Sequence, residues 1–161
     1  AKDPTLRAVA LLAGPAYNGR RILEFQSENA VKSATQLSET QRDSIRRTVP
    51  KGLDSIAAAN SWMGFFMKTE PSVALRCMKQ PTLVLQGDTD QQVTPEQADS
   101  IVAILKNSGN SRATLRHFPA TNHLFLVDPS GAPAGYTALK NTQVRREVLG
   151  ALADWMVRVM K

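Results

Sequence analysis

Three segments of the chain carry apolar residues in the manner of strands. Leu6 to Ala13, "LRAVALLA", is nearly all apolar, as expected of a strand buried on both faces. Thr82 to Gln86, "TLVLQ", follows Pro81, a residue suited to the start of a strand. Ala113 to Phe118, "ATLRHF", is rich in strand formers and stops at Pro119. Between the last two lies a helical pattern. Thr94 can cap it, Pro95 suits the first helical position, and Gln97 completes a capping box. Ala98, Ile101, Val102 and Leu105 share one face, and Gly109 can terminate the helix. A last helix is predicted over about Gln143 to Met160, with Val144, Val148, Leu152, Trp155, Met156 and Val159 as its apolar stripe. Strand, helix, strand, helix predicts the α/β class, with about three parallel strands, flanking helices and right-handed crossovers.

Residues 16–78 have a different pattern, mostly helical and without a strand. Ser38 and Gln41 form a capping-box pair, ahead of a helix predicted to end near Thr48, where "VPKG" breaks the chain. "LDSIAAANSWMGFFMKTEP" follows. An insertion of this length between two sheet strands is expected to form a helical cap or lid. The expected organisation is therefore a core from residues 1–15 and 79–161, and a cap from residues 16–78. Trp62, Phe65 and Phe66 are candidates to line an apolar substrate pocket, or else to fasten the cap to the core.

Composition narrows the function classes. The chain has 161 residues, 42% hydrophobic and 21% charged, enough apolar material for one core. The net charge of +6 and pI near 9.8 raise the question of nucleic acid. The basic residues are scattered in pairs such as Arg20-Arg21, Arg46-Arg47 and Arg145-Arg146, with no basic run among aromatics. We expect no nucleic-acid partner and a plain solvated surface. Cys77 is the single cysteine, so no internal disulfide or thiolate metal cluster forms. It is expected to be buried filler rather than a nucleophile. No apolar run has membrane-spanning length, and no signal peptide is visible, so no membrane partner is expected. The chain has no initiator Met, and "AKDPT" has the look of a loop inside a longer protein. The natural start is expected to lie upstream.

The candidate chemistry sits in "VLQGDTDQQVTP" and "PATNHLF". Ligands of open α/β sheets bind beyond the carboxyl ends of the strands. Asp88 and Asp90 lie just past the second strand, and His123 just past the third. A carboxylate beside an imidazole fixes its tautomer and stabilises the imidazolium formed when His takes a proton. Asp90 lies further into its loop than Asp88, so the expected pair is Asp90 with His123. Asp88, directly after Gly87, is expected to bond loop N–H groups and shape the turn. His117, inside the third strand, is expected to pack or to face a helix.

"PTLVLQGDTDQQVTPEQA" followed by "HFPATNHLF" resembles the acid and histidine segments of α/β-hydrolases, especially bacterial esterases and dienelactone-hydrolase-like members. "LRAVALLAGPA" is similar to the strand after the nucleophile helix. "NSWMGFFMKTEPSVALRCMKQP" is similar to a cap-to-strand passage that usually has Asp-Pro where this chain has Glu70-Pro71. "DPSGAPAGY" and "VLGALADWM" also fit. The resemblance implies the C-terminal part of an α/β-hydrolase fold, with its last three parallel strands. It implies a Ser-His-Asp hydrolase, a carboxylesterase first, with peptidase, thioesterase or lactone hydrolase left open because the cap sets the substrate, and with Asp90 and His123 as catalytic residues and no cofactor or metal.

That family's nucleophile is the Ser of a G-x-S-x-G elbow, which precedes the acid and the histidine. This chain has no such motif; "NSWMG" lacks the first Gly and lies in the helical insertion. The chain is expected to be inactive alone. Its expected partners are a small-molecule ester and either the N-terminal half of the hydrolase or a second copy joined at the first strand. Two other classes stand beside this one. A metal-dependent phosphohydrolase would use Asp88 and Asp90 as a D-x-D pair, though Gly87 separates them from the strand and later acids are sparse. A non-catalytic binding or assembly module is compatible with the composition.

Overall fold

The computed structural model describes residue 3 and residues 5–161. Its elements are β1 (Val9–Leu12), α1 (Gly19–Ser33), α2 (Glu39–Ala59), α3 (Ser61–Lys68), α4 (Pro71–Cys77), β2 (Thr82–Gly87), α5 (Pro95–Asn107), β3 (Ala113–Phe118), a short 3-10 helix (Pro133–Ala138) and α6 (Arg146–Met160). The chain divides into two compact units. One joins the residues up to Ala16 with Pro71–Lys161, and the other is Tyr17–Glu70.

The first unit is an α/β layer structure. Its sheet has the order β1-β2-β3, and both pairings are parallel. Thr82 lies opposite Val9 on one side and Ala113 on the other. Parallel strands need a long crossover, and α5 supplies it between β2 and β3. All six residues of β2 are buried, because it has a strand on each side and cover on both faces. Leu83 and Leu85 meet Phe118, Phe125, Val148, Ala151 and Trp155 in the core. Val148, Ala151 and Trp155 recur at helical spacing, so α6 presents one stripe to the sheet. By alternation Thr82, Val84 and Gln86 point to the other face. Against β2 and β3 packs α5, burying Ala98, Ile101, Val102 and Leu105.

The strand β3 covers the residues expected of it, and Gly109 follows α5 with φ +86°. Other expectations are corrected. The first strand is shorter than Leu6 to Ala13, and its residues are half-buried to exposed rather than buried on both faces. It pairs on one side only among the described residues, and Leu12 is 44% exposed. Thr94 does cap α5 by position, but its side chain makes no cap bond. Gln97 is buried and turns its Oε1 to the Ala16 N–H at 3.1 Å, tying α5 to the loop after β1. The last helix begins at Arg146, not Gln143. Cys77 is exposed rather than buried. It ends α4, a helix that buries Leu75 and turns Cys77 outward.

The second unit is helical throughout, with α1, α2 and α3 in mutual contact. Ile22, Val31, Leu53 and Met67 are its buried apolar residues. Ser38 and Gln41 form the expected capping box at the start of α2, with bonds of 2.8 and 3.3 Å. The break expected near Thr48 does not occur. Instead α2 runs on to Ala59 with Pro50 inside it. Pro50 removes one helical hydrogen bond, but helix continues on both sides because α2 packs against α1 and α3. Arg46 joins Glu28, Glu39 and Asp43, at 2.9 to 3.0 Å, just before the proline. Gly19 lies so close to Phe66 that a Cβ there would come within 2.3 Å of the ring.

Candidate active site

The acid turn begins where β2 ends. Gly87 is required there, because a Cβ would stand 2.2 Å from the Thr121 carbonyl oxygen and 2.8 Å from that of Asn122. The end of β2 and the loop after β3 therefore touch backbone to backbone. The Asp88 N–H donates to the Phe118 carbonyl at 3.0 Å, and the Thr89 N–H to the Thr121 carbonyl at 3.1 Å. The Thr89 hydroxyl adds a bond of 2.6 Å to the Asp128 carbonyl. Gly131, with φ +65°, closes the same region; a Cβ there would lie 1.6 Å from the Thr89 carbonyl oxygen.

Asp90 is enclosed, with a side chain of zero exposure. Its Oδ1 accepts from the backbone N–H groups of Gln92 and Val93 at 2.8 and 3.0 Å. Its Oδ2 accepts from Gln86 Nε2 at 3.0 Å and meets His123 Nδ1 at 2.9 Å. A carboxylate so placed can only accept, so the proton of the neutral imidazole resides on Nδ1. His123 Nε2 is then left with a lone pair, as a general base requires. The His123 side chain is 28% exposed.

The loop that carries His123 is held from within. Buried Asn122 accepts at Oδ1 from the N–H groups of Leu124 and Leu126, at 3.0 and 3.1 Å, and its Nδ2 donates to Asp128. Thr121 and Val127 form an antiparallel bridge. Ala120 and Phe125 take left-handed backbone angles, φ +49° and +58°, a conformation costly for side-chain-bearing residues. Phe125 is fixed there by an edge-to-face contact with Phe118. Arg145 bonds the Pro119 carbonyl and the Thr121 hydroxyl, and its N–H reaches the Phe125 carbonyl. Burial pushes the Asp128 carboxyl up, but donors from Ser130, Gly131 and Asn122 outweigh it and hold the group below the usual carboxylate range. Tyr136 has its hydroxyl near Gln92, and burial raises its pKa above the ordinary phenol value.

The structure thus brings Asp90 and His123 together. It gives Asp88 a different partner from the expected loop N–H groups. Asp88 Oδ1 lies 2.8 Å from His117 Nδ1, and His117 Nε2 is 3.7 Å from Asp99 on α5. The turn-shaping bonds belong instead to Asp90, because only its side chain points back under Gln92 and Val93. His117 does face a helix, as expected. The two acids of the D-x-D pair serve separate histidines, and among the described residues no group of three or more His, Cys, Asp or Glu is placed to hold a metal. Trp62 and Phe65 are 64% and 68% exposed in the helical unit, and Trp62 stacks on Phe66 at 5.4 Å.

Sequence reasoning passed over Gln86, Asn122, Asp128 and Arg145. A polar amide ending an apolar strand was the available signal for Gln86. The neighbours of His123 carried none, since their partners are set by a loop geometry that sequence does not display.

Comparison with known proteins adds a family. The model of the prolyl oligopeptidase family matches residues 59–161, which include the acid turn, α5, β3 and the histidine loop. A solved structure of an alpha/beta hydrolase fold protein from Nakamurella multipartita is similar at 20% identity and a TM-score of 0.36. The likeness covers 83% of this chain, which spans 59% of the length of that one. No curated protein matches the chain significantly.

Proposed function

Since the chain belongs to the prolyl oligopeptidase family, we propose that Asp90 and His123 are the acid and base of a Ser-His-Asp triad that hydrolyses an acyl bond. The observation that carries this is the 2.9 Å contact between Asp90 Oδ2 and His123 Nδ1, at the carboxyl ends of adjacent parallel strands. In this mechanism a serine Oγ attacks the substrate carbonyl and passes its proton to His123 Nε2. Asp90 stabilises the imidazolium, which then protonates the leaving group. Water, deprotonated by the same nitrogen, releases the acyl group. The sequence has no G-x-S-x-G, so the serine and the oxyanion-hole N–H groups would come from residues outside these 161.

A carboxylic ester is the substrate class we favour. Peptide hydrolysis is the second reading, supported by the name of the matching family. Exposed Trp62 and Phe65, with Phe66, are the aromatic contacts proposed for the substrate's apolar part. The side of β1 that no described residue pairs is the proposed seat of a further strand, from the rest of the hydrolase or from a second copy.

The test uses the full-length protein on a short p-nitrophenyl ester and on a peptide p-nitroanilide. Asp90→Ala is expected to lower kcat by about four orders of magnitude and His123→Ala by about six. Undiminished turnover in either variant would remove the triad reading. An activated ester reports any working triad, so the ratio of the two substrates' kcat/KM separates esterase from peptidase.

A further inference from the structure

We propose that Gln86 is a positioning residue, whose side-chain amide holds the Asp90 carboxylate in line with His123. The proposal rests on the reading of Asp90 and His123 as acid and base. Two backbone N–H groups anchor Asp90 Oδ1, whereas Oδ2 meets two side-chain donors, His123 Nδ1 and Gln86 Nε2. Of these, the imidazole is the group that changes charge and must stay free to move its protons. Gln86 is therefore the fixed, neutral donor on the oxygen that faces the base.

The orientation of the amide follows from its surroundings. Nε2 also meets the carbonyl oxygens of Val93 and Gly87, at 2.9 and 3.3 Å. Every partner is an acceptor, so the nitrogen must be the atom turned toward them. The amide oxygen is then buried without a partner among the described residues. A Met or Leu at this fully buried position of β2 would fill the space and leave no orphaned acceptor. For strand packing alone, Gln is an unfavourable choice. What it contributes is an N–H on a rigid strand, aimed at Asp90, where a loop residue would hold it less firmly.

Two substitutions test this in the full-length enzyme. Gln86→Met keeps the volume and removes the donor. It is expected to lower kcat about ten- to hundred-fold with KM unchanged, the range found when an orienting partner is removed behind a primary group. Gln86→Glu keeps the shape and makes the donor conditional. While protonated, the introduced carboxyl can still donate to Asp90. As pH rises and it ionises, two carboxylates face each other, and activity is expected to fall on an alkaline limb absent from the wild type. Tyr136 and Asp128 near Asp90, and His117 beside Gln86 in the strand register with its partners Asp88 and Asp99, are present in both and cancel in the comparison. A wild-type kcat for Gln86→Met would overturn the proposal. If that variant fails to fold, a wild-type pH profile for Gln86→Glu overturns it alone. Asp90→Asn is measured beside them. Full turnover there would remove the acid–base reading itself, while its loss beside an active Gln86→Met would reject only the role of Gln86.

Discussion

Asp128 shows how a buried carboxylate near the site bears on stability. Its pKa is lowered in the folded chain, against the effect of burial, by donors from Ser130, Gly131 and Asn122. In the unfolded chain it titrates near its ordinary value of about 4. A group with a lowered folded pKa contributes stability that is fully present above the unfolded value and is lost as pH falls through the folded one. The urea midpoint is therefore expected to drop below about pH 4, and Asp128→Asn to flatten that drop. An equally steep loss in the variant would show that the other carboxylates account for it. At this scale the sequence was partly legible. The pairing of Asp90 with His123 could be read because both lie just past strand ends. The partner of Asp88 could not, because His117 lies inside β3, and only the register of β3 beside β2 brings the two together.

Among elements, the junction of β2 with the histidine loop is the least tolerant of added volume. Gly87→Ala would drive a methyl into two backbone carbonyls that have no flexible end to give way. We expect a loss at or beyond the upper end of about 1–3 kcal/mol by denaturant unfolding, with activity lost as the acid turn and loop separate. Helix α2 offers the opposite case. Pro50→Ala restores a backbone donor in mid-helix and is expected to stabilise the helical unit by up to about 3 kcal/mol, read as a raised Tm. An unchanged or lower Tm would mean that the proline ring's packing matters more than the missing bond. The proline also marks where sequence reasoning failed. "VPKG" carries strong breaking residues, yet contacts with α1 and α3 decide the outcome, and local propensity cannot report them. By contrast β3 could be read to the residue, since its strand formers end at a proline.

For the molecule as a whole, the telling feature is the asymmetry of its sheet. The middle strand β2 is wholly buried, whereas β1 is half-bare on its outer side, and Leu6, Leu12, Met156 and Met160 are exposed in the same unit. A row of unpaired N–H and C=O groups beside apolar side chains favours association. Light scattering on this chain is expected to show mass rising with concentration, and Leu12→Lys to suppress it. A constant monomer mass would argue against a seat for a further strand. The order of the acid and histidine segments along the chain, with α5 between them, was legible because each stage has its own local signature. The open edge of β1 was legible only through the family resemblance, which implies a further neighbouring strand, because an apolar strand by itself reads alike with one neighbour or two.

The close seating of Gly87 and Gly131 against neighbouring carbonyls has a consequence for the order of events. The acid turn and the histidine loop are clasped by their own backbones, within one stretch from Thr82 to Gly131. On the proposed triad reading, orienting the base is thus complete once this stretch folds and Arg145 fastens its loop, before any substrate or attacking serine arrives. On that reading an incoming nucleophile has only to arrive beside a proton acceptor that is already aimed.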